Sequence, residues 1–329
     1  MGHSILVLSA AEVSEALPMA DAIEAMRRAF AALATGEATL PPRTVFPAPR
    51  NEGTALLMPA FLDAGRQMGV KLVALFPPNP ERGLPLLHGL MVLLDGATGR
   101  PMALLEGSAL TAIRTGAASG LATDLLARTD ARKAAILGAG IQGATQLEAV
   151  CAVRPVEQAR VFDPLGDRAQ ELANRMGERL GLEVSIAASA TEALAGADVV
   201  CTATTSAVPV FDDADLPAGA HVNAIGAFTP QTREVPEATV LRARVVVDHR
   251  PAAMEEAGDL LIPLRQGRIT EAHIQAELGE IVAGRAPGRG GDDEVTLFKS
   301  VGVAVQDVAA AWAAVEGAEA TGLGQRVAL

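Results

Sequence analysis

Cysteine is scarce. The 329-residue chain holds two, Cys151 and Cys201, with no C-x-x-C and no spacing that suits a metal. Both lie in apolar segments, so they are expected to be small buried hydrophobes in a reducing compartment, and a disulfide framework is excluded. Basic charge is short as well: 27 Lys and Arg stand against 39 Asp and Glu, a formal net charge of −12. Such a surface disfavours nucleic acid and anionic membrane as partners. No run of ~18 apolar residues offers a membrane span. The opening MGHSILVLSAAEV has neither a basic start nor a long apolar core, so it is not expected to be a signal peptide, and the expected location is the cytoplasm. Internal repeats and long low-complexity tracts are absent. What the chain has is apolar mass, half of its residues, which is enough for a sizeable core. Its length makes two domains the prior.

One stretch organises the rest. Lys133 to Gly143 reads KAAILGAGIQG. Ala134 to Leu137 is long enough for one buried strand, and it runs into a G-x-G-x-x-G at Gly138, Gly140 and Gly143. A helix-forming segment, Ala144 to Val153, follows at once. That is the strand, turn and helix context of a dinucleotide fingerprint. Gly138 permits the tight turn, Gly140 lets a pyrophosphate reach the backbone, and Gly143 lets helix and strand pack closely. The N–H groups at Ile141 and Gln142 open the helix toward the phosphates. A second strand, Ala159 to Phe162, ends in Asp163, an acid placed to bond a ribose 2′-hydroxyl and to repel a 2′-phosphate. The expected cofactor is therefore NAD, with NADP possible because Arg160 and Arg168 are close by.

Elsewhere the pattern splits. Ile5 to Leu8 reads as a strand, Ser9 to Glu12 as a capping box, and Ile23, Met26, Phe30 and Leu33 as the buried stripe of a helix that Gly36 ends. Ala55 to Pro59, Met68 to Phe76 and Gly89 to Asp95 read as strands, so the first ~110 residues are expected to be α+β with a mostly antiparallel sheet. Beyond Asp163, helix and strand alternate through Val184–Ala187, Ala197–Ala203, Ala220–Ile225 and Ala243–Val247, which predicts a parallel, doubly wound sheet. A last helix is expected over about 303–315, packed back on the first domain. The fold class is thus α/β: a Rossmann-type doubly wound domain plus an α+β domain.

Several short stretches together resemble the ornithine cyclodeaminase/μ-crystallin family. They are Pro41-Pro42-Arg43, Met58-Pro59, Gly69-Val70-Lys71, Thr111 to Thr115, the glycine fingerprint, Gly226 to Glu234, and Phe298 to Gly302. The resemblance implies a substrate-binding and dimerisation domain from 1–117 plus 303–329, with a dinucleotide domain, 118–302, inserted. It also implies a homodimer and chemistry that interconverts an amine and an imine beside a carboxylate.

Candidate residues follow. An imino acid carries a carboxylate, which a guanidinium holds better than an ammonium. The resemblance assigns Arg43 and Arg114 to that task. Lys71 sits inside an apolar run, and burial would lower its pKa and suit it to acid/base work. By resemblance Met58, His88, Phe228, Thr229 and Lys299 line the substrate pocket. Thr115, Thr202, Ala203, Thr204, Lys299 and Ser300 join the fingerprint in holding the cofactor, the residues after Cys201 because ligands sit at the carboxyl ends of such strands. His3 and His273 are expected to be solvated, and His221 and His249 structural. Metal is not implied. Phe228 stands where ornithine cyclodeaminases carry an aspartate that holds the distal amine. A phenylalanine cannot accept from an ammonium, so the pattern looks most like reductases of cyclic ketimines such as Δ1-pyrroline-2-carboxylate. Three alternatives stay open: reductive amination of a small keto acid in the manner of alanine dehydrogenase, ornithine cyclodeamination, and a non-catalytic cofactor-dependent binder.

Overall fold

The computed structural model describes residues 4–329, so His3 lies outside the described residues. In chain order the first elements are β1 (Ser4–Leu8), α1 (Ala10–Ala16), α2 (Met19–Thr35), β2 (Ala38–Thr39), β3 (Thr44–Ala48), β4 (Gly53–Leu62), β5 (Gln67–Leu75), β6 (Leu87–Asp95), β7 (Pro101–Glu106) and α3 (Gly107–Leu126). Then come β8 (Lys133–Leu137), α4 (Ile141–Val153), β9 (Gln158–Phe162), α5 (Gly166–Leu180), β10 (Glu183–Ile186), α6 (Ala190–Leu194), β11 (Val199–Thr202) and β12 (His221–Ala224). The rest are α7 (Glu237–Arg242), β13 (Arg244–Val247), α8 (Arg250–Glu256), α9 (Gly258–Arg265), β14 (Ile274–Glu277), α10 (Leu278–Val282), β15 (Thr296–Lys299), α11 (Ala304–Thr321) and β16 (Gln325–Ala328). They form two compact units, Met1–Arg114 with Val303–Leu329, and Thr115–Gly302.

The first unit is α+β. Its sheet runs β16-β1-β7-β6-β5-β4-β2, with β3 on β4. Every pair is antiparallel except β1 with β7. The expected capping box is present: the Ser9 side chain accepts from the Glu12 N–H, and Glu12 reaches back to Ser9. α2 buries Ile23, Met26 and Phe30, and Gly36 closes it in the left-handed region at φ 80°. α11 packs against α1, α2 and strands β4, β5 and β6. Alternation along the strands then decides which side chains lie under it. Lys71 and Val73 on β5, and Met91 and Leu93 on β6, are buried; Leu72 and Leu90, of opposite parity, are exposed.

The second unit holds an all-parallel sheet in the order β10-β9-β8-β11-β12-β15-β13-β14. Counted from β8, this is 3-2-1-4-5 followed by 8-6-7, a doubly wound sheet. Its strand order reverses between β8 and β11, the place where such folds bind ligands. β11, β12 and β15 are buried throughout, and β8 and β13 are buried after their first residue, so they read as apolar runs rather than as alternation.

The structure departs from the sequence-based elements in physical ways. β7, PMALLE, is built largely of good helix formers, and its pairing with β1 and β6 overrides that preference. β16 is exposed along its length and exists through its pairing with β1. α4 begins at Ile141, inside the fingerprint, and α11 continues to Thr321. His273 is not a solvated histidine, since its Nε2 meets Val240 O at 2.7 Å. His221 is structural, fully buried between Thr296 Oγ1 at 2.9 Å and Asn223 Oδ1 at 3.1 Å, and burial pushes its pKa down to about 3.

Candidate active site

The fingerprint loop is shaped by close backbone approach. Gly138 has φ +105°, and a Cβ there would stand 2.6 Å from Ala203 O, the first residue beyond β11. A Cβ on Gly143 would stand 2.1 Å from Gly138 O, so α4 can leave the strand at this angle only with glycine. The N–H groups of Ile141, Gln142 and Gly143 open α4, where an α-helix has no internal acceptor for them. Among the described residues, nothing lies within 4 Å of a Cβ built on Gly140. Asp163 ties this loop to the next: its carboxylate accepts from Ala139 N–H at 2.8 Å and from Leu165 N–H at 2.9 Å. Each oxygen keeps a second lone pair for a ribose hydroxyl.

A cavity of about 470 Å³ opens here, lined among others by Gly138, Gly140, Asp163, Arg168, Ala203 and Thr204. Its walls are the ends of β8, β9 and β11, which is the switch point of the sheet. Size, glycine cradle and acid all fit a dinucleotide.

In the first unit the chemistry gathers on one carboxylate. Lys71 on β5 and Arg114 on α3 are 2% and 6% exposed. The Lys71 ammonium lies 2.8 Å from Asp307 Oδ2, and Arg114 Nε donates to Asp307 Oδ1 at 2.9 Å. Arg114 Nη1 donates to Gln306 Oε1 at 3.0 Å, and the same oxygen accepts the Val303 N–H at 2.9 Å. The orientation of the Gln306 amide is thereby set. Its Nε2 is buried and meets no acceptor among the described residues, which leaves a donor beside the guanidinium. Two cations on one anion leave an excess positive charge, and that suits an acid group as ligand.

Burial drives the Lys71 pKa down, the Asp307 carboxylate pulls it back up, and Arg114 and Arg43 push it down again, so it falls from 10.5 to about 8. For Asp307, burial pushes upward, but Lys71 and Arg114 outweigh it and hold its pKa below the usual carboxylate range. Arg43 precedes β3, is half-buried, and lies close enough to act on Lys71. Met58 on β4 pairs with Lys71 across the strands and shares its face.

Four candidates are corrected. His88 pairs with Ala74, while Lys71 pairs with Met91; strand alternation therefore puts His88 on the opposite, exposed face of the sheet. Lys299 is fully buried, its ammonium 2.8 Å from Asp259 Oδ2 and donating to Ala227 O, so it cannot reach a ligand. Ser300 donates to Asp248 Oδ2 at 2.8 Å, and Thr202 donates to Glu234 Oε2 at 3.0 Å; both are buried. Thr115 is buried within α3. Thr204 lines the cavity. Phe228, on the loop after β12, is 56% exposed, and the neighbouring Thr229 pairs its hydroxyl with Thr232 at 2.9 Å. Sequence reading missed Asp307 and Gln306. Both sit in the first turn of a helix among alanines and valines, and a buried acid in an apolar stretch was the available signal.

The family profile described as ornithine cyclodeaminase/mu-crystallin matches residues 4–322. The chain belongs to this family. It is 40% identical to a Delta(1)-pyrroline-2-carboxylate reductase of Bacillus cereus (strain ZK / E33L), over 98% of this chain and 99% of that one. Among solved structures it resembles the Thermococcus litoralis Delta(1)-pyrroline-2-carboxylate reductase in complex with NADH and L-proline, with a TM-score of 0.93, 42% identity, and coverage of 98% of this chain and 100% of that one. An archaeal alanine dehydrogenase dimer with bound NAD superposes with a TM-score of 0.91 at 34% identity, covering 99% of each chain.

Proposed function

We propose that this protein is an NADH-dependent reductase of cyclic imino acids, converting Δ1-pyrroline-2-carboxylate to L-proline. The observation that carries it is the buried Lys71–Asp307–Arg114 set. An imino acid presents a carboxylate next to a basic nitrogen, and this set offers a guanidinium next to an ammonium whose pKa is brought to about 8. Names and ligands of the full-length relatives agree with that reading.

Arg114, with its Nε held by Asp307 and one nitrogen held by Gln306, presents its remaining N–H donors in a fixed plane. These and Arg43 grip the acid. Lys71 supplies a proton to the ring nitrogen, so that the C=N bond becomes an iminium. A nicotinamide, when bound, would supply the hydride that C2 accepts. The π electrons of the C=N bond then settle on nitrogen as the amine lone pair. Lys71, left neutral, recovers its proton from water, and Asp307 stabilises the ammonium again. Asp163, the fingerprint glycines and Thr204 hold the dinucleotide, and Asp163 favours NADH over NADPH. Phe228 offers nothing to accept from a distal ammonium, which speaks against ornithine as substrate.

The test is NADH oxidation followed at 340 nm with Δ1-pyrroline-2-carboxylate and no added ammonium. Prompt turnover is expected. Turnover only with pyruvate plus ammonium would replace this reading with the one suggested by the alanine dehydrogenase neighbour; no turnover with either would remove it.

The same reading includes a homodimer through the outer face of the first sheet. Leu57, Leu72 and Leu90 are in direct register across β4, β5 and β6 and are 39%, 37% and 43% exposed, with Phe46 at 65% nearby on β3. Such a row is costly in water and suits a second copy of itself. Sedimentation equilibrium is expected to give twice the chain mass of 33.7 kDa, and Leu72→Asp to halve it. A monomeric wild type would refute the dimer. The cytoplasm, where a reducing poise keeps Cys151 and Cys201 as thiols, is the location that belongs with this reading.

A further inference from the structure

Glu234 is a fully buried carboxylate on which five donors converge. Its Oε1 accepts the Thr204 N–H at 2.6 Å and the Thr204 hydroxyl at 2.7 Å. Its Oε2 accepts the Thr202 hydroxyl at 3.0 Å, the Gly226 N–H at 2.7 Å and the Ala227 N–H at 3.1 Å. One side chain thus ties the end of β11 to the loop after β12. The fit leaves no slack: a Cβ on Gly226 would stand 2.3 Å from Thr204 O and 2.5 Å from Glu234 Oε1.

Glu234 is itself held from below. Its N–H and that of Val235 donate to Asp259 Oδ1 at 2.7 Å and 2.9 Å. Asp259 Oδ2 is 2.8 Å from the Lys299 ammonium, and Lys299 returns to the same loop by donating to Ala227 O. The ammonium is therefore a prop beneath the loop. A half-satisfied network this deep would be worse than an apolar core. Here nearly every group is engaged, and the result is a rigid support under Thr204 and under the loop that carries Phe228.

In a doubly wound sheet, the acid that ends the second strand marks the adenosine side of the switch point. Here that acid is Asp163, at the end of β9. The ends of β11 and β12 lie on the other side of the switch point. We infer that Glu234 is a positioning residue for the nicotinamide half of the dinucleotide, acting through Thr204 and the Gly226–Thr229 loop. This rests on the dinucleotide reading above.

Glu234→Gln keeps the shape and turns one acceptor into a donor, which must then face an N–H or a hydroxyl. The full chain is titrated with NADH by fluorescence and with ADP, which lacks the nicotinamide half, by calorimetry. The Kd for NADH is expected to rise about tenfold, the effect of one lost buried partner. The Kd for ADP is expected to stay within about twofold, as for a distant site. Should this variant not fold, Thr202→Val removes a single donor, from a residue too buried to touch a ligand, and the same selective loss is expected. Equal losses for NADH and ADP, or no loss for NADH, would overturn the inference. Failure of the reductase reading shows separately, as a wild type that binds NADH without turning over the imine.

Discussion

Lys71→Met is expected to lower kcat/KM for Δ1-pyrroline-2-carboxylate by about 10²–10⁴-fold, the usual worth of a positioned general acid. NADH binding should be unchanged, because the residues assigned to the dinucleotide belong to the other compact unit. Methionine matches the length of the stem and removes only the ammonium. The pH profile carries the sign. Reduction needs Lys71 protonated, so its rate should be level below pH about 8 and fall tenfold per unit above it. Oxidation of proline needs the neutral amine and should rise over the same interval. Steady-state rates in both directions check this. Full activity in Lys71→Met, or a reduction rate indifferent to pH across that interval, would remove the acid role.

Asp307→Asn should be the most damaging to stability. The carboxylate lies between two buried cations, and neutralising it leaves both uncompensated. Breaking a buried pair in this way costs about 3–5 kcal/mol, which corresponds to a Tm fall of roughly 6–20 °C. The pH limb should move as well. Asp307 is the group that holds the Lys71 pKa up against burial, so without it the fall in reduction begins at lower pH. The double variant Asp307→Asn with Lys71→Met should recover part of the loss, since one stranded cation is gone. Calorimetry and rate–pH curves read the two effects independently. An unchanged Tm would mean that the three groups are solvated in solution.

The dinucleotide half of the protein was legible because its signal is local. Gly138, Gly140, Gly143 and Asp163 announce strand, turn and helix through their own conformational needs; the structure puts Gly138, Gly140 and Asp163 on one cavity and packs Gly143 against Gly138. Lys71 was legible for a similar reason: a lysine flanked by apolar strand residues must be buried and must therefore be special. Its partner was not. Arg114 and Asp307 are 193 residues apart, and no periodicity links a β5 lysine to a carboxylate in α11. The misplacement of Lys299 has the same origin. Local sequence says only that a lysine ends an apolar run; the acid that swallows its charge, Asp259, comes from a separate element, α9. His88 was misjudged through parity. Its neighbourhood in sequence is correct, but one residue along a strand turns a side chain to the other face.

The distance along the chain between Lys71, Arg114 and Asp307 also has a consequence for biosynthesis. The ribosome releases both cations first, then the whole dinucleotide unit, and only then the anion. At about 5–20 residues per second, the 193 residues that separate Arg114 from Asp307 take roughly 10–40 s to translate. During that interval the growing amino-terminal sheet has no counter-charge for the site it is meant to enclose, so it cannot close over Lys71 and Arg114. The inserted unit can therefore mature during translation, whereas the unit that carries Lys71 is assembled last, once α11 has been made.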